Sequence, residues 1–411
     1  MKIAFISYHY PPDTGGGGIA TYVGQAATML QNRGNLVEVF AASHHRSGVE
    51  IEASGVRVHR IQVQNRELFP NEITPVFAER HALVQFDVLE GPDFGAEAVE
   101  AIRLVPEIPL VVKLHTPNGI FRQVHASTLT EFLPQLRAKL GGFHQWLNPR
   151  SIENIEKHHA YDADVIAAPS NLIAERLIQN WKLDRQKVHI FPYPYIPSPE
   201  TLNIAIEQTT SQVVTFVGRL EIRKGVIDLA QAIPDILKHC PDAKFRFVGQ
   251  VAPSPNPKQN MQEYIEKLLH PYCHSLEFVG PVPNTQIPFI LGSADVCIFP
   301  SLFDSFGLVC LEGMAAGRAV IGSMSSGMVE IINTEAVGRI VSPDCPRQIT
   351  QFVVELLQNP ELRVQVGMAA RERVLQEYSL ERIGDLQERS YRVAIKTKKA
   401  RKKISLFQHA S

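Results

Sequence analysis

A repeated tripeptide constrains the fold of the second half of this chain. Phe-Val-Gly begins at Phe216, Phe247 and Phe278, so the copies lie 31 residues apart, and each copy closes an apolar, strand-like run. About 30 residues is the length of one β-strand with its crossover helix. A solenoid would repeat its helices as well, and here only the strand ends match. The pattern therefore predicts successive strands of a Rossmann-like sheet. Each glycine would then lie at the carboxyl end of a strand, where it would either form part of a ligand site or simply turn the chain.

The first half of the chain opens with a similar unit. An apolar run from Lys2 to Tyr8 precedes the sequence Pro-Pro-Asp-Thr and four glycines, Gly15 to Gly18. A helical pattern follows over residues 19–33, and residues 36–42 return to a strand pattern. Strand and helix patterns alternate onward, which favours a doubly wound α/β domain. A chain of 411 residues is long enough for two domains.

Composition predicts where the chain divides. The stretch that begins FPYPYIPSPE is rich in proline and then polar, as linkers are. The predicted divisions are an N-terminal domain (1–195), a linker (196–212), a C-terminal domain (213–380), a helix (381–395) and a basic tail (396–411).

Charge and cysteine content exclude several classes of protein. The formal net charge of −1 argues against nucleic acid as the main partner. Five cysteines without a CxxC pair fit a reducing cytoplasm better than a disulfide framework or a zinc site. No apolar run reaches the ~18 residues of a membrane span. We therefore expect a cytoplasmic protein. The basic tail is either a solvated segment or a weak contact with anionic lipid at the inner membrane face.

The segment 300–323 carries the pattern of a nucleotide site. A strand pattern ends at Phe299, and a helix is predicted to begin at Gly307. The first N–H groups of a helix, here those of Leu308 and Val309, are suited to a phosphate group. Glu312 lies one turn further along, about 5.4 Å along the axis, where a carboxylate would accept hydrogen bonds from ribose hydroxyls.

A second loop offers cations. In GRLEIRKG, Arg219 and Lys224 follow the first Phe-Val strand. By itself this segment is more typical of a solvated turn. Opposite a helix that offers amides and a ribose acceptor, the two cations are better interpreted as a clamp on a diphosphate.

Taken together, these motifs resemble those of the retaining glycosyltransferases of family 4. The resemblance rests on Gly218-Arg219-Leu220 with Lys224-Gly225, on the segment from Asp304 to Gly317, and on Gly327-Met328-Val329-Glu330-Ile331. The Gly-rich opening resembles that family too. The family implies the GT-B fold, two Rossmann-like doubly wound domains facing across a cleft, with the last helix crossing back to the first domain. It also implies a hexosyltransferase that moves a sugar from a nucleotide sugar to an acceptor hydroxyl, with retention and without a metal.

The resemblance also implies roles for individual residues. The family has two glutamates separated by seven residues, and this chain has Asp304 and Glu312, so the first side chain is one methylene shorter. Gly15 to Gly18 would lie against the donor diphosphate, and His115 would bind the sugar or the acceptor. The predicted catalytic residues are His115, Arg219, Lys224 and Asp304. The predicted donor-binding residues are Gly16, Gly17, Gly218, Gly280, Phe306, Gly307, Leu308, Val309 and Glu312.

The predicted partners are a UDP- or GDP-sugar as co-substrate and a sugar, lipid-linked or small-molecule acceptor, with no cofactor and no metal. Two alternatives stay open, a nucleotide-sugar 2-epimerase of the same fold and a silent nucleotide-sugar-binding protein. An NAD-dependent oxidoreductase is disfavoured because no βαβ unit carries GxGxxG. Asp162-Ala163-Asp164 spells a metal motif of another glycosyltransferase fold, but a helix-to-strand turn is the better interpretation. The adjacent pair His158-His159 makes a poor metal site.

Overall fold

A computed structural model describes residues 1–120, 149–209 and 212–408. Contacts divide the chain into two compact units. Among the described residues, the first unit contains 1–120, 149–196 and 379–408, and the second contains 197–209 and 212–378.

The first unit contains an eight-stranded sheet. Its strands are β1 (Lys2–Ser7), β2 (Leu36–Ser43), β3 (Gly48–Ile51), β4 (Arg57–Gln62), β5 (Val88–Pro92), β6 (Leu110–Lys113), β7 (Val165–Ala168) and β8 (Val188–Ile190). Their spatial order is β3-β4-β2-β1-β5-β6-β7-β8, and every adjacent pair is parallel except β3 with β4. The order reverses between β1 and β5, and ligands bind at the carboxyl ends of strands at such a point.

The second unit contains a six-stranded parallel sheet. Its strands are β9 (Val213–Val217), β10 (Lys244–Val248), β11 (Leu276–Gly280), β12 (Val296–Ile298), β13 (Ala319–Ser323) and β14 (Arg339–Val341). Their order is β11-β10-β9-β12-β13-β14. Phe247 pairs with Phe216 on one side and with Phe278 on the other, so the three repeats are neighbouring strands in register. This confirms the prediction from the repeat.

Helices cover both sheets. They are α1 (Gly18–Asn32), α2 (Phe69–Val84), α3 (Val99–Leu104), α4 (Pro149–Asp162), α5 (Asn171–Trp181), α6 (Pro199–Leu202), α7 (Val226–His239), α8 (Met261–Leu268), α9 (Ile287–Gly292), α10 (Leu308–Ala315), α11 (Met328–Ile331), α12 (Pro346–Gln358), α13 (Pro360–Glu377) and α14 (Leu380–Gln408).

The last helix, α14, belongs to the first unit and is joined to it by a buried polar network. The Tyr22 hydroxyl on α1 donates to one carboxylate oxygen of Glu90 on β5 at 2.6 Å, and the Tyr391 hydroxyl on α14 donates to the other at 2.7 Å. Gln387 donates to both tyrosine hydroxyls, at 3.0 and 2.7 Å. Because buried polar groups are costly without partners, each member depends on the others.

The basic segment, predicted as a tail over residues 396–411, is helical as far as Gln408, because α14 continues through it. Asp164 explains the difference: its side chain has no exposed surface, and it lies 3.0 Å from Arg401 and 3.9 Å from Lys398. A buried carboxylate needs such partners, which holds this part of the helix against the first unit.

The segment predicted as a linker, 196–212, also differs where it is described. Ser198 caps α6 by accepting the N–H of Thr201 at 3.2 Å. Arg318 donates to the carbonyls of Ala205 and Ile206, at 3.1 and 3.3 Å. Residues 199–206 are therefore packed on the second unit. The linker prediction did not include this packing, because the local composition does not show that Arg318 binds these carbonyls.

Candidate active site

In the second unit, a glycine sets the start of α10. Gly307 has φ of +99°, and a Cβ there would lie 2.6 Å from Cγ of Met328. Only glycine fits this left-handed, crowded position. Its carbonyl accepts the N–H of Cys310 at 2.9 Å. The N–H groups of Leu308 and Val309 have no hydrogen-bond acceptor within the described residues, so they are open to a ligand anion.

Asp304 and Lys224 form an ion pair just before this helix. The Lys224 ammonium lies 2.5 Å from Oδ2 of Asp304, and the N–H of Phe306 also donates to Asp304. Burial acts to raise the pKa of Asp304, but the charges of Lys224 and Arg223 and these hydrogen bonds lower it below its ordinary value. Asp304 is therefore ionised. Lys224 and Asp304, which the sequence analysis placed in two separate motifs, therefore contact each other directly.

Arg219 lies on the same loop and is tied to it by a glutamate. Its side chain is 49% exposed, and its Nε lies 3.2 Å from buried Glu221. Glu221 also holds Arg223 at 2.6 Å, and Arg223 donates to the carbonyl of Phe303 at 3.0 Å. The shared carboxylate connects the loop after β9 to the loop before α10, so Arg219 and Lys224 lie on one supported segment.

Glu312 lies one turn into α10 and is partly exposed. Within the described ranges, no residue donates a hydrogen bond or supplies a cation to its carboxylate. Burial raises the pKa of Glu312 to about 7. A carboxylate held in such surroundings costs stability, and this marks it as a candidate functional group.

The other predicted residues of the second unit lie at strand ends or beneath the helix. Gly218 follows β9, and Gly280 ends β11; no atom of the described residues lies within 4 Å of the position of a Cβ at Gly280. Phe306 is 1% exposed, and its ring centroid lies 6.2 Å from that of Tyr378. Phe306 is thus part of the packing that supports the loop.

In the first unit, the Gly-rich stretch connects β1 to α1. All four glycines are exposed, and Gly17, with φ of +92°, is the residue that precedes the helix. Among the described residues, no atom lies within 4 Å of a Cβ position at Gly16, Gly17 or Gly18. The described part of the chain thus leaves space beside this backbone, as a ligand approaching it would require.

His115 follows β6 at the same edge of the sheet and is 5% exposed. Its Nδ1 lies 2.6 Å from the hydroxyl of Tyr193, whereas Nε2 has no partner within the described residues. Burial, followed by the charges of Lys113, Arg66 and His9, holds the pKa of His115 well below its usual range. The ring is therefore neutral at physiological pH.

Sequence reasoning missed Asp93 and Tyr193. Asp93 follows β5 and is fully buried; its Oδ1 accepts the N–H groups of Phe94 and His115, at 2.7 and 2.8 Å, and its Oδ2 has no partner in the described part of the chain. Burial, with the charge of Glu156, raises its pKa well above the usual range. An acidic residue directly after a strand was the available signal. For Tyr193, the sequence showed only a proline-rich segment.

The two sequence motifs that resemble metal sites, Asp162-Ala163-Asp164 and His158-His159, lie in ordinary secondary structure. Asp162 ends α4, and Asp164 accepts the N–H of Leu110 at 3.0 Å just before β7, which confirms a helix-to-strand turn. His158 is exposed and His159 is buried. Across the described residues, no group of three or more His, Cys, Asp or Glu side chains could hold a metal ion.

Comparisons with known proteins agree with this architecture. A glycosyl transferase 4-like domain matches residues 17–194, and the model of glycosyl transferases group 1 matches residues 199–373. Two Rossmann-like units with these matches define a GT-B glycosyltransferase. Residues 199–373 belong to the family of glycosyl transferases group 1, and residues 17–194 form a glycosyl transferase 4-like domain; the two matches confirm the predicted fold and the predicted class of enzyme.

Individual relatives cover nearly the whole chain. An uncharacterized glycosyltransferase of Methanocaldococcus jannaschii is 25% identical over 415 residues, covering 96% of this chain and 99% of that protein. The structure of sucrose-phosphate synthase from Thermosynechococcus elongatus matches with a TM-score of 0.74 at 23% identity, over 95% of this chain and 98% of that one. HepE of Anabaena, solved with UDP, matches with a TM-score of 0.68 at 17% identity, over 95% and 99% of the two chains.

Proposed function

We propose that the enzyme transfers a sugar from a UDP- or GDP-sugar to an acceptor hydroxyl, with retention of anomeric configuration and without a metal ion. The observation that carries the proposal is the pairing of two groups on one helix, the N–H groups of Leu308 and Val309 and the carboxylate of Glu312, neither of which has a hydrogen-bond partner among the described residues. A nucleoside diphosphate has phosphate and ribose at a matching separation.

Glu312 is suited to the ribose. Four residues of helix separate it from Leu308 by about 6 Å along the axis. It lacks a cation or a donor among the described residues, so a ligand that brings two neighbouring hydroxyls would supply what the protein does not. Such hydrogen bonds to a carboxylate are stronger than those between neutral groups.

The diphosphate would lie between the helix end and the cationic loop. An ammonium has three donors, and the bond to Asp304 engages one of those of Lys224. The others remain for phosphate oxygens, while the exposed guanidinium of Arg219 offers a planar pair of donors. Asp304, ionised and held by Lys224, would accept hydrogen bonds from sugar hydroxyls.

Chemistry would follow as a same-face displacement. The acceptor oxygen bonds to the anomeric carbon as the bond from that carbon to the diphosphate oxygen breaks. The acceptor proton passes to the departing diphosphate. Arg219, Lys224 and the start of α10 stabilise the charge that develops on the leaving group. His115, being neutral, would bind a hydroxyl of the sugar or the acceptor through Nε2. Support for the donor class comes from HepE, which was also solved with UDP-glucose.

The test is a panel of UDP-, GDP- and ADP-sugars incubated with the purified protein and EDTA, followed by mass spectrometry and thermal shift. We expect slow release of one diphosphate and free sugar, and stabilisation by the same nucleotide. Conversion to an isomeric nucleotide sugar would instead show an epimerase. Stabilisation without turnover, even with added acceptors, would show a silent binder.

We also propose that the acceptor lies near an anionic membrane surface, contacted by α14. Lys396, Lys399 and Lys402 are exposed, and each lysine near such a surface contributes about 1 kcal/mol. No helix in the described parts of the chain is long and apolar enough to cross a membrane. Replacing these three lysines with glutamine should reduce sedimentation with phosphatidylglycerol vesicles. Unchanged sedimentation would refute the contact.

A further inference from the structure

We propose that Tyr193 is a positioning residue that fixes the tautomer of His115, with the proton on Nδ1 and the lone pair of Nε2 available to a hydroxyl of the bound sugar. The inference rests on the proposed function in one respect, namely that His115 meets the sugar. The tautomer itself follows from contacts within the first unit.

Two contacts of the Tyr193 hydroxyl determine where its proton lies. It lies 2.9 Å from the carbonyl oxygen of Leu114 and 2.6 Å from Nδ1 of His115. A carbonyl oxygen only accepts hydrogen bonds, and a hydroxyl has one proton to donate. The hydroxyl proton is therefore directed to Leu114, and the oxygen of Tyr193 is left to accept. The contact with His115 then requires a proton on Nδ1.

This assignment determines the chemistry of Nε2. In a neutral imidazole with a proton on one nitrogen, the other nitrogen only accepts. Nε2 is buried without a partner among the described residues, and a buried polar atom in that state costs stability until a partner arrives. A sugar hydroxyl can donate to it, whereas a carbonyl or an ether oxygen cannot. The site would therefore select a ligand group that carries a proton.

The surrounding side chains hold Tyr193 in place. Its ring lies 4.7 Å from that of Tyr22 and 5.3 Å from that of His115, measured between centroids. The ammonium of Lys113 lies 5.2 Å from the Tyr193 ring and donates to the carbonyl of Phe191 at 3.0 Å. Tyr193 also lies between two prolines, Pro192 and Pro194, which restrict the backbone on both sides. These ring contacts and the two prolines restrict the position of the Tyr193 side chain, and hence that of its hydroxyl.

The tautomer is measured directly by nitrogen NMR of the free protein with ¹⁵N-labelled histidine near pH 8. The His115 signals are assigned by their loss in His115→Gln. We expect a protonated Nδ1 and an unprotonated Nε2 in the wild type, and a shift toward the other tautomer in Tyr193→Phe. A protonated Nε2 in the wild type, or an unchanged tautomer in Tyr193→Phe, would overturn the inference.

Kinetics test the consequence for the sugar. With UDP-glucose as probe, we expect Tyr193→Phe to lower kcat/KM for donor cleavage roughly tenfold, as for one lost hydrogen bond, while the affinity for UDP stays unchanged. Tyr161→Phe is the matched control, because the Tyr161 hydroxyl also donates to a backbone carbonyl, that of Trp181. A similar loss in both variants would show a merely structural effect and overturn the role. The NMR result needs no turnover, so a failure of the proposed function would be seen separately.

Discussion

Glu312 illustrates how one residue can lower stability and serve a ligand. Its native pKa is about 7, against an ordinary value of 4.5. Between these values the native state holds a proton that the unfolded state has lost, so this residue lowers the free energy of unfolding as pH rises through that window. We expect Glu312→Gln to raise the free energy of unfolding by about 1 to 3 kcal/mol at pH 8. Denaturant titrations at pH 8 and pH 5 should show the gain only at pH 8.

The same pKa predicts how donor binding depends on pH. Ribose hydroxyls favour the ionised carboxylate, so affinity should weaken as pH falls below about 7. A nucleotide sugar is the appropriate probe, because its diphosphate has no proton that titrates in this range. Calorimetry should show the weakening for the ribose form and a smaller one for the 2′-deoxyribose form. Glu312→Gln should remove the difference, and an equal pH dependence for both forms would separate Glu312 from the ribose.

The Lys224–Asp304 pair predicts unequal effects for the two cations of the loop. Lys224→Ala leaves a largely buried Asp304 without its partner, so we expect a loss of about 1 to 3 kcal/mol in stability together with weaker UDP binding. Arg219→Ala removes a half-exposed side chain and should weaken UDP binding with little loss of stability. The double variant Lys224→Ala with Asp304→Asn should recover stability but not binding. No recovery would show that the pair does not account for the loss.

At the scale of elements, local sequence patterns predicted the strands and the helix that carry the candidate site of the second unit. The Phe-Val-Gly repeat predicted β9, β10 and β11 because strand length and crossover length are local properties. The segment 300–323 predicted α10 to within one residue at each end, since glycines bound it on both sides. Contacts between distant residues were out of reach: Lys224 and Asp304 are 80 residues apart, and Tyr193 and His115 are 78 apart. In neither pair does the sequence around one residue indicate which distant residue it contacts.

The start of α10 gives a prediction for a whole element. Gly307→Ala places a Cβ against the Met328 side chain at a left-handed position, so we expect the strained backbone to relax and to displace the first N–H groups of α10. We expect a loss of about 1 to 3 kcal/mol in stability and the loss of UDP binding. Gly34→Ala is the matched control, because Gly34 has φ of +83° and no atom of the described residues lies within 4 Å of its Cβ position. It should cost stability and leave UDP binding intact.

At the scale of the whole molecule, the first unit is assembled from separate parts of the chain, and the last part is α14. Its distal half is held by Asp164 through Arg401 and Lys398, a contact between residues that no local pattern connects. A chain that lacks this half would leave the Asp164 carboxylate without these two cations.

We therefore expect deletion of residues 396–411 to lower the free energy of unfolding of the first unit by about 1 to 3 kcal/mol, since an uncompensated buried charge is costly. Chemical denaturation followed by hydrogen exchange at β6 and β7 would locate the loss. Replacing Lys396, Lys399 and Lys402 with glutamine should leave stability unchanged, because these side chains are exposed. Adding Asp164→Asn to the deletion should restore part of the loss. If it restores nothing, the deletion acts through helix packing instead of through Asp164.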